Sequence, residues 1–133
     1  GGQAQEPDAA MDDAASILIG EILLWEKDVE GAWAEAKVGG CHPELWMKLA
    51  YLREKDHPQD AVQVYRAEIK RLLERMGSPD YAGVVRRIRH VRELMNGLNR
   101  EREFAAYLNE MRTVYKRKRN FMKLLERVKS VAI

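Results

Sequence analysis

Apolar residues return every three to four positions through almost the whole of this chain, and no stretch shows the period-two alternation or β-branched clustering of a strand. A backbone patterned this way buries one stripe along each helix, so the sequence predicts an all-α protein. Proline, glycine and Asx residues interrupt the stripes at short intervals, which divides the chain into helices of ordinary length joined by short connections. With 133 residues, 46% of them hydrophobic, it can bury a core of its own. The expectation is one helical domain over 11–133, preceded by a small, polar and acidic segment at 1–10 that reads as flexible or as a cloning remnant.

The stripes predict about seven helices. Met11, Ala15, Leu18, Ile22 and Trp25 line the first, and Ala32, Trp33 and Ala36 a second that Asp28 caps and Gly39-Gly40 ends. Pro43 opens the third, whose inner face is Leu45, Trp46, Leu49 and Leu52. The fourth carries Ala61, Tyr65, Ile69, Leu72 and Met76, with Asp56 and Gln59 at capping-box separation before it and Gly77 after it. Ser78-Pro79 reads as cap and first residue of the fifth, which buries Tyr81, Val84, Val85, Ile88, Val91 and Met95 and stops near Gly97. Asn99 is placed to cap the sixth, with Phe104, Tyr107, Leu108, Met111 and Tyr115 inward. Phe121, Leu124, Leu125, Val128 and Val131 mark the last.

The helix-opening prolines Pro43 and Pro79 stand 36 residues apart, near the period of about 34 found in tetratricopeptide repeats. That spacing predicts stacked antiparallel helical hairpins of a TPR-like kind, closed by the C-terminal helix, the alternative being an irregular helical bundle of the same content. A single hairpin exposes apolar surface on two sides, and stacking covers it.

Chemistry is sparse. Cys41-His42 joins two metal-ligand types, yet a structural zinc needs four ligands and the chain offers one cysteine with His42, His57 and His90. Cys41 reads as a small buried thiol at a helix start, with no metal and no cofactor. It would act as a nucleophile only if His42 or His57 stood beside it as base. Asp12-Asp13 falls in a first helical turn, where negative charge complements the macrodipole. Trp25, Trp33 and Trp46 fall on stripes and read as core, the alternative being a binding groove lined by them. There is no phosphate-binding glycine loop and no nucleophile elbow. The sequence is read as that of a non-enzyme with no catalytic residues.

Charge is the more informative feature. The net of +2 conceals a division: residues 1–60 carry five Lys+Arg against thirteen Asp+Glu, and residues 61–133 carry eighteen against eight. Arg86, Arg89 and His90 share one helix face, and Lys116, Arg117, Lys118 and Arg119 form an unbroken basic run. These seven are the candidate anion- or partner-binding residues, because guanidinium and ammonium groups so grouped hold phosphates or carboxylates. The competing reading is solvated surface, or neutralisation of a preceding helix C-terminus. One cysteine permits no internal disulfide, which suits a reducing cytoplasm, and no apolar run reaches the roughly 18 residues of a membrane span.

Three blocks together resemble a known family. They are Asp56-His57-Pro58-Gln59-Asp60-Ala61 with Val64-Tyr65-Arg66, then Glu103-Phe104-Ala105-Ala106-Tyr107-Leu108, then Lys116-Arg117-Lys118-Arg119-Asn120-Phe121-Met122-Lys123-Leu124-Leu125. Over roughly residues 20–128 the chain resembles the C-terminal helical region of bacterial SWIM zinc-finger proteins, the last block being the most specific. The resemblance implies a helical tail whose family carries an upstream Cys-x-Cys/Cys-x-His finger that is not among these residues. No functional residue transfers from it. The function expected is a protein-binding helical module, the alternative being an accessory nucleic-acid surface on the basic half.

Overall fold

The computed structural model describes residues 18–19, 28–75 and 79–128. Among them the backbone forms six helices and no strand. Of the first expected helix only Leu18 and Ile19 are described, both helical and exposed; Met11, Ala15, Ile22 and Trp25 lie outside the described residues. Leu18 is thus not covered as its stripe predicted, because periodicity identifies an apolar face and not what lies against it. Contacts group the chain into two compact units, 1–53 and 54–133, and each is described by itself.

In the first unit, α1 (Val29–Gly39) and α2 (Pro43–Arg53) form a hairpin. The Asp28 carboxylate accepts from the Gly31 N–H at 2.9 Å, the expected N-cap. Gly40 ends α1 at φ 78, a conformation that glycine adopts without a Cβ penalty, and donates its N–H to the Ala36 carbonyl. Ala32 and Ala36 meet Leu45 and Leu49 in a small core, with Val29, Trp33, Cys41 and Trp46 packed around it. The alanines let the two backbones approach closely. Leu52 corrects the expected inner face of α2, since it is 44% exposed while Arg53 is buried at 5%. The buried ridge advances by four, from Leu45 through Leu49 to Arg53, and Leu52 lies about 100° off it. A long aliphatic stem makes arginine tolerable there.

The second unit contains α3 (Pro58–Glu74), α4 (Tyr81–Gly97), α5 (Glu101–Val114) and α6 (Arg119–Leu125). α4 is central, packing against α3, α5 and α6. Its buried residues Val84, Val85, Ile88, Val91 and Met95 occupy more than one side of the helix, as a rod with three neighbours requires. Phe104, Leu108, Phe121 and Leu125 are fully buried with them.

Helix ends depart from expectation in five places. His57, not Asp56, is the N-cap of α3, and its side chain makes no cap hydrogen bond. Pro58 supplies the first residue, and the His57 carbonyl closes the turn by accepting from Asp60 and Ala61. Leu73 rather than Leu72 completes the α3 face, and α3 ends at Glu74; Met76, Gly77 and Ser78 lie outside the described residues. Asp80, not the Ser78-Pro79 pair, caps α4, accepting from the Gly83 N–H at 3.1 Å. Asn99 does not cap α5. It takes the left-handed position after α4 at φ 58, with its own N–H donated to Asn96 and the Arg100 N–H to Met95, the pairing that closes a Schellman motif. Arg100 then precedes α5 without a side-chain cap. α6 stops at Leu125; Val128 is buried beyond it, and Val131 lies outside the described residues.

Candidate functional site

α3 and α5 both lean on α4 and leave between them an open groove of about 370 Å³. α3 contributes Arg66, Ile69, Lys70, Leu73 and Glu74, and α5 contributes Tyr107, Glu110, Met111 and Val114, followed by Tyr115. On each helix these positions step by three and four, so the walls are two facing ridges. Ile69, Leu73 and Met111 are buried at the floor, whereas Val114 stands 61% exposed at the rim.

The rim is charged in an ordered way. The Arg66 guanidinium lies over the Tyr107 ring, 4.1 Å from its centroid. Burial pushes the Tyr107 phenol up to about 12, against a smaller opposing pull from Arg66. Tyr115 is also raised, first by burial and then by the Glu74 and Glu110 carboxylates. Those influences register the helices: Arg66 is level with Tyr107, and Glu74 with Tyr115, so α3 and α5 run in the same direction. Among the described residues Arg66, Lys70, Glu74 and Glu110 form no ion pair, although Arg71 and Glu68 beside them do, at 2.7 Å. Neither helix shows the groove in its own sequence, since it arises from two helices separated by α4. The only advance signal was the placing of Tyr107, Met111 and Tyr115 on one stripe.

The seven basic candidates do not form one cluster. Arg86 is 3.6 Å from Asp80, both exposed, at the start of α4. Arg89 is half-buried on the next turn. His90 is bonded through Nε2 to Glu54, with Glu93 3.9 Å from its Nδ1 and Tyr65 edge-on at 5.3 Å. Lys116 and Arg117 lie in the α5–α6 turn, Lys118 is the N-cap residue of α6 and Arg119 its first residue. Phe121 packs on Tyr115 at 6.1 Å and Tyr81 at 5.7 Å, which holds that turn beside the N-terminal end of α4, away from the His90–Glu54 pair. Among the described residues none of the four cations of the run makes an ion pair.

Cys41 is half-buried against the core of the first unit. His42 is exposed, its carbonyl accepting from Leu45 and Trp46. Among the described residues no group of three or more His, Cys, Asp or Glu side chains could hold a metal ion. Asp12 and Asp13 lie outside the described residues. Trp33 and Trp46 are half-buried and meet edge to face at 5.2 Å, and the Arg53 guanidinium lies over one face of Trp33 at 4.1 Å. Among the described residues no helix is long and apolar enough to cross a membrane. No family model matches this chain, and neither the curated proteins nor the solved structures contain a significant match.

Proposed function

We propose that this chain is a non-enzymatic helical interaction module that holds a protein partner in the groove between α3 and α5. The observation that carries this reading is the groove itself: an apolar floor open to solvent, an exposed Val114, and rim charges that form no ion pair among the described residues. An isolated surface charge gains little from a neighbour, but one that faces a complementary partner selects it and speeds encounter. We extend the reading to a stack of antiparallel TPR-like hairpins, supported by the α1–α2 and α3–α4 hairpins and the Pro43–Pro79 spacing. The quoted Lys116–Leu125 block supports placing it as the C-terminal part of a larger SWIM zinc-finger-like protein, and the single cysteine suits the cytoplasm.

A photo-crosslinking side chain introduced at Val114, and at exposed Gln63 as control, tests the groove in cells that make the protein. A discrete protein adduct is expected from Val114 and not from Gln63. Equal labelling from both positions at every salt concentration refutes the reading.

One observation favours a second reading: the run Lys116–Arg119 is uncompensated by ion pairs among the described residues, which suits a nucleic-acid backbone. If each cation meets one phosphate, log affinity for duplex falls with log salt at a slope of about −3 to −4. Gel shifts showing no binding at low salt dispose of this reading.

A further inference from the structure

Resting on the groove reading, we propose that the groove's occupant is an amphipathic helix whose acidic N-terminal end lies over Arg66 and whose basic C-terminal end lies over Glu74. Three observations lead there. First, the groove is a trough and not an enclosed cavity. Its α3 wall runs from Arg66 to Glu74, about 12 Å of helix at 1.5 Å per residue. A small molecule of ordinary affinity buries most of its surface in a concave site, which an open trough does not provide. Two parallel ridges with an apolar floor accept the side-chain ridge of a third helix, anchored at positions i, i+3 or i+4, and i+7.

Second, the two ends of the groove differ in charge. Arg66 stands at the Tyr107 end and Glu74 at the Tyr115 end, while Lys70 and Glu110, level with one another and of opposite sign, lie between them. α3 and α5 both terminate at that end, so two helix C-termini add their partial negative charge to it. Third, among the described residues none of these four side chains is neutralised by an ion pair. A helix carrying acidic residues first and basic residues last matches both ends, and it also satisfies its own macrodipole. It therefore lies parallel to α3 and α5.

The test uses a phage-displayed library of 16-residue amphipathic helical peptides, with the intact chain as bait. Expected are enriched peptides with Asp and Glu in their first half and Lys and Arg in their second. By fluorescence anisotropy such a peptide should bind at least about tenfold more tightly than its charge-exchanged isomer. Glu74→Lys, which spares the Arg66–Tyr107 stacking, should weaken or remove that preference, with far-UV circular dichroism verifying the fold. Enriched peptides that lose binding on Val114→Asp yet show no end-to-end charge difference overturn this proposal and leave the groove reading standing. Failure to enrich any peptide sensitive to Val114→Asp overturns both.

Discussion

Arg53 offers the sharpest test of how the first unit is held together. Its side chain is 6% exposed, its guanidinium sits 4.1 Å above Trp33, and its Nε and a terminal nitrogen donate to the two carboxylate oxygens of Glu30 at 3.1 and 3.3 Å. Glu30 is itself 63% exposed, so water replaces its partner cheaply, and such a pair is worth no more than about 1 kcal/mol. The stem is worth more. Three methylenes packed away from water contribute about 2 kcal/mol, and the cation over the indole about 0.5–1. Arg53→Ala should therefore destabilise the first unit by about 2–3 kcal/mol. Arg53→Met keeps a stem of similar length and gains a sulfur–aromatic contact, so it should lose only about 1. Urea unfolding followed by tryptophan fluorescence is the assay, because all three tryptophans fall within residues 1–53. With a slope near 1 kcal/mol/M, the alanine variant should shift the midpoint by about 2–3 M and the methionine variant by about 1 M or less. If methionine proves as damaging as alanine, the ion pair and not the packed stem is what holds Arg53.

Core and cap variants probe the second unit as well. Phe104→Ala or Phe121→Ala, each removing a fully buried ring, should cost about 3–5 kcal/mol by chemical denaturation followed by circular dichroism. Asp80→Ala and Asp28→Ala should each cost about 1 kcal/mol. Gly83→Ala should cost about as much as losing the Asp80 cap, since its Cβ would fall 2.6 Å from an Asp80 carboxylate oxygen and displace it. Tyr107, raised from 10.0 to about 12, favours the folded state while protonated, so its contribution is intact below pH 10 and is lost as pH rises from about 10 to 12. Tyr107→Phe should flatten stability across that window, and an unchanged pH profile would show that the phenol is not shielded.

The helices were legible because each rests on a local pattern. Ala61, Tyr65 and Ile69, or Phe104, Leu108 and Met111, specify a buried stripe whatever covers it. Misreadings gathered where two local solutions compete. Pro79 can open a helix, but Asp80 one residue later brings a carboxylate to the Gly83 amide, and the capped start prevailed. Gly97 is the usual residue to leave a helix, yet α4 keeps it as its last residue and lets Asn99 take the left-handed position. Arg53 is missing from the expected inner face of α2 because its charge dominates a pattern read by residue type, while its stem belongs to the ridge of Leu45 and Leu49.

The groove was illegible for a different reason, which bears on how this protein acquires a binding surface. α3 and α5 are separated in the chain by the whole of α4, and each alone is an ordinary amphipathic helix with charged flanks. Hairpin connectivity sets the alternate helices parallel, so their negative C-termini coincide instead of cancelling, and Glu74 reinforces them. A bundle with α3 and α5 antiparallel would place each C-terminus beside an N-terminus and cancel the end-to-end field. Polarity along the groove is therefore a consequence of chain topology first and of composition second. It follows that replacing Glu74 by glutamine should weaken the discrimination between the two charge orders of a bound helix without abolishing it, the remainder coming from the two C-termini. Complete loss of discrimination in that variant would assign the field to that carboxylate alone.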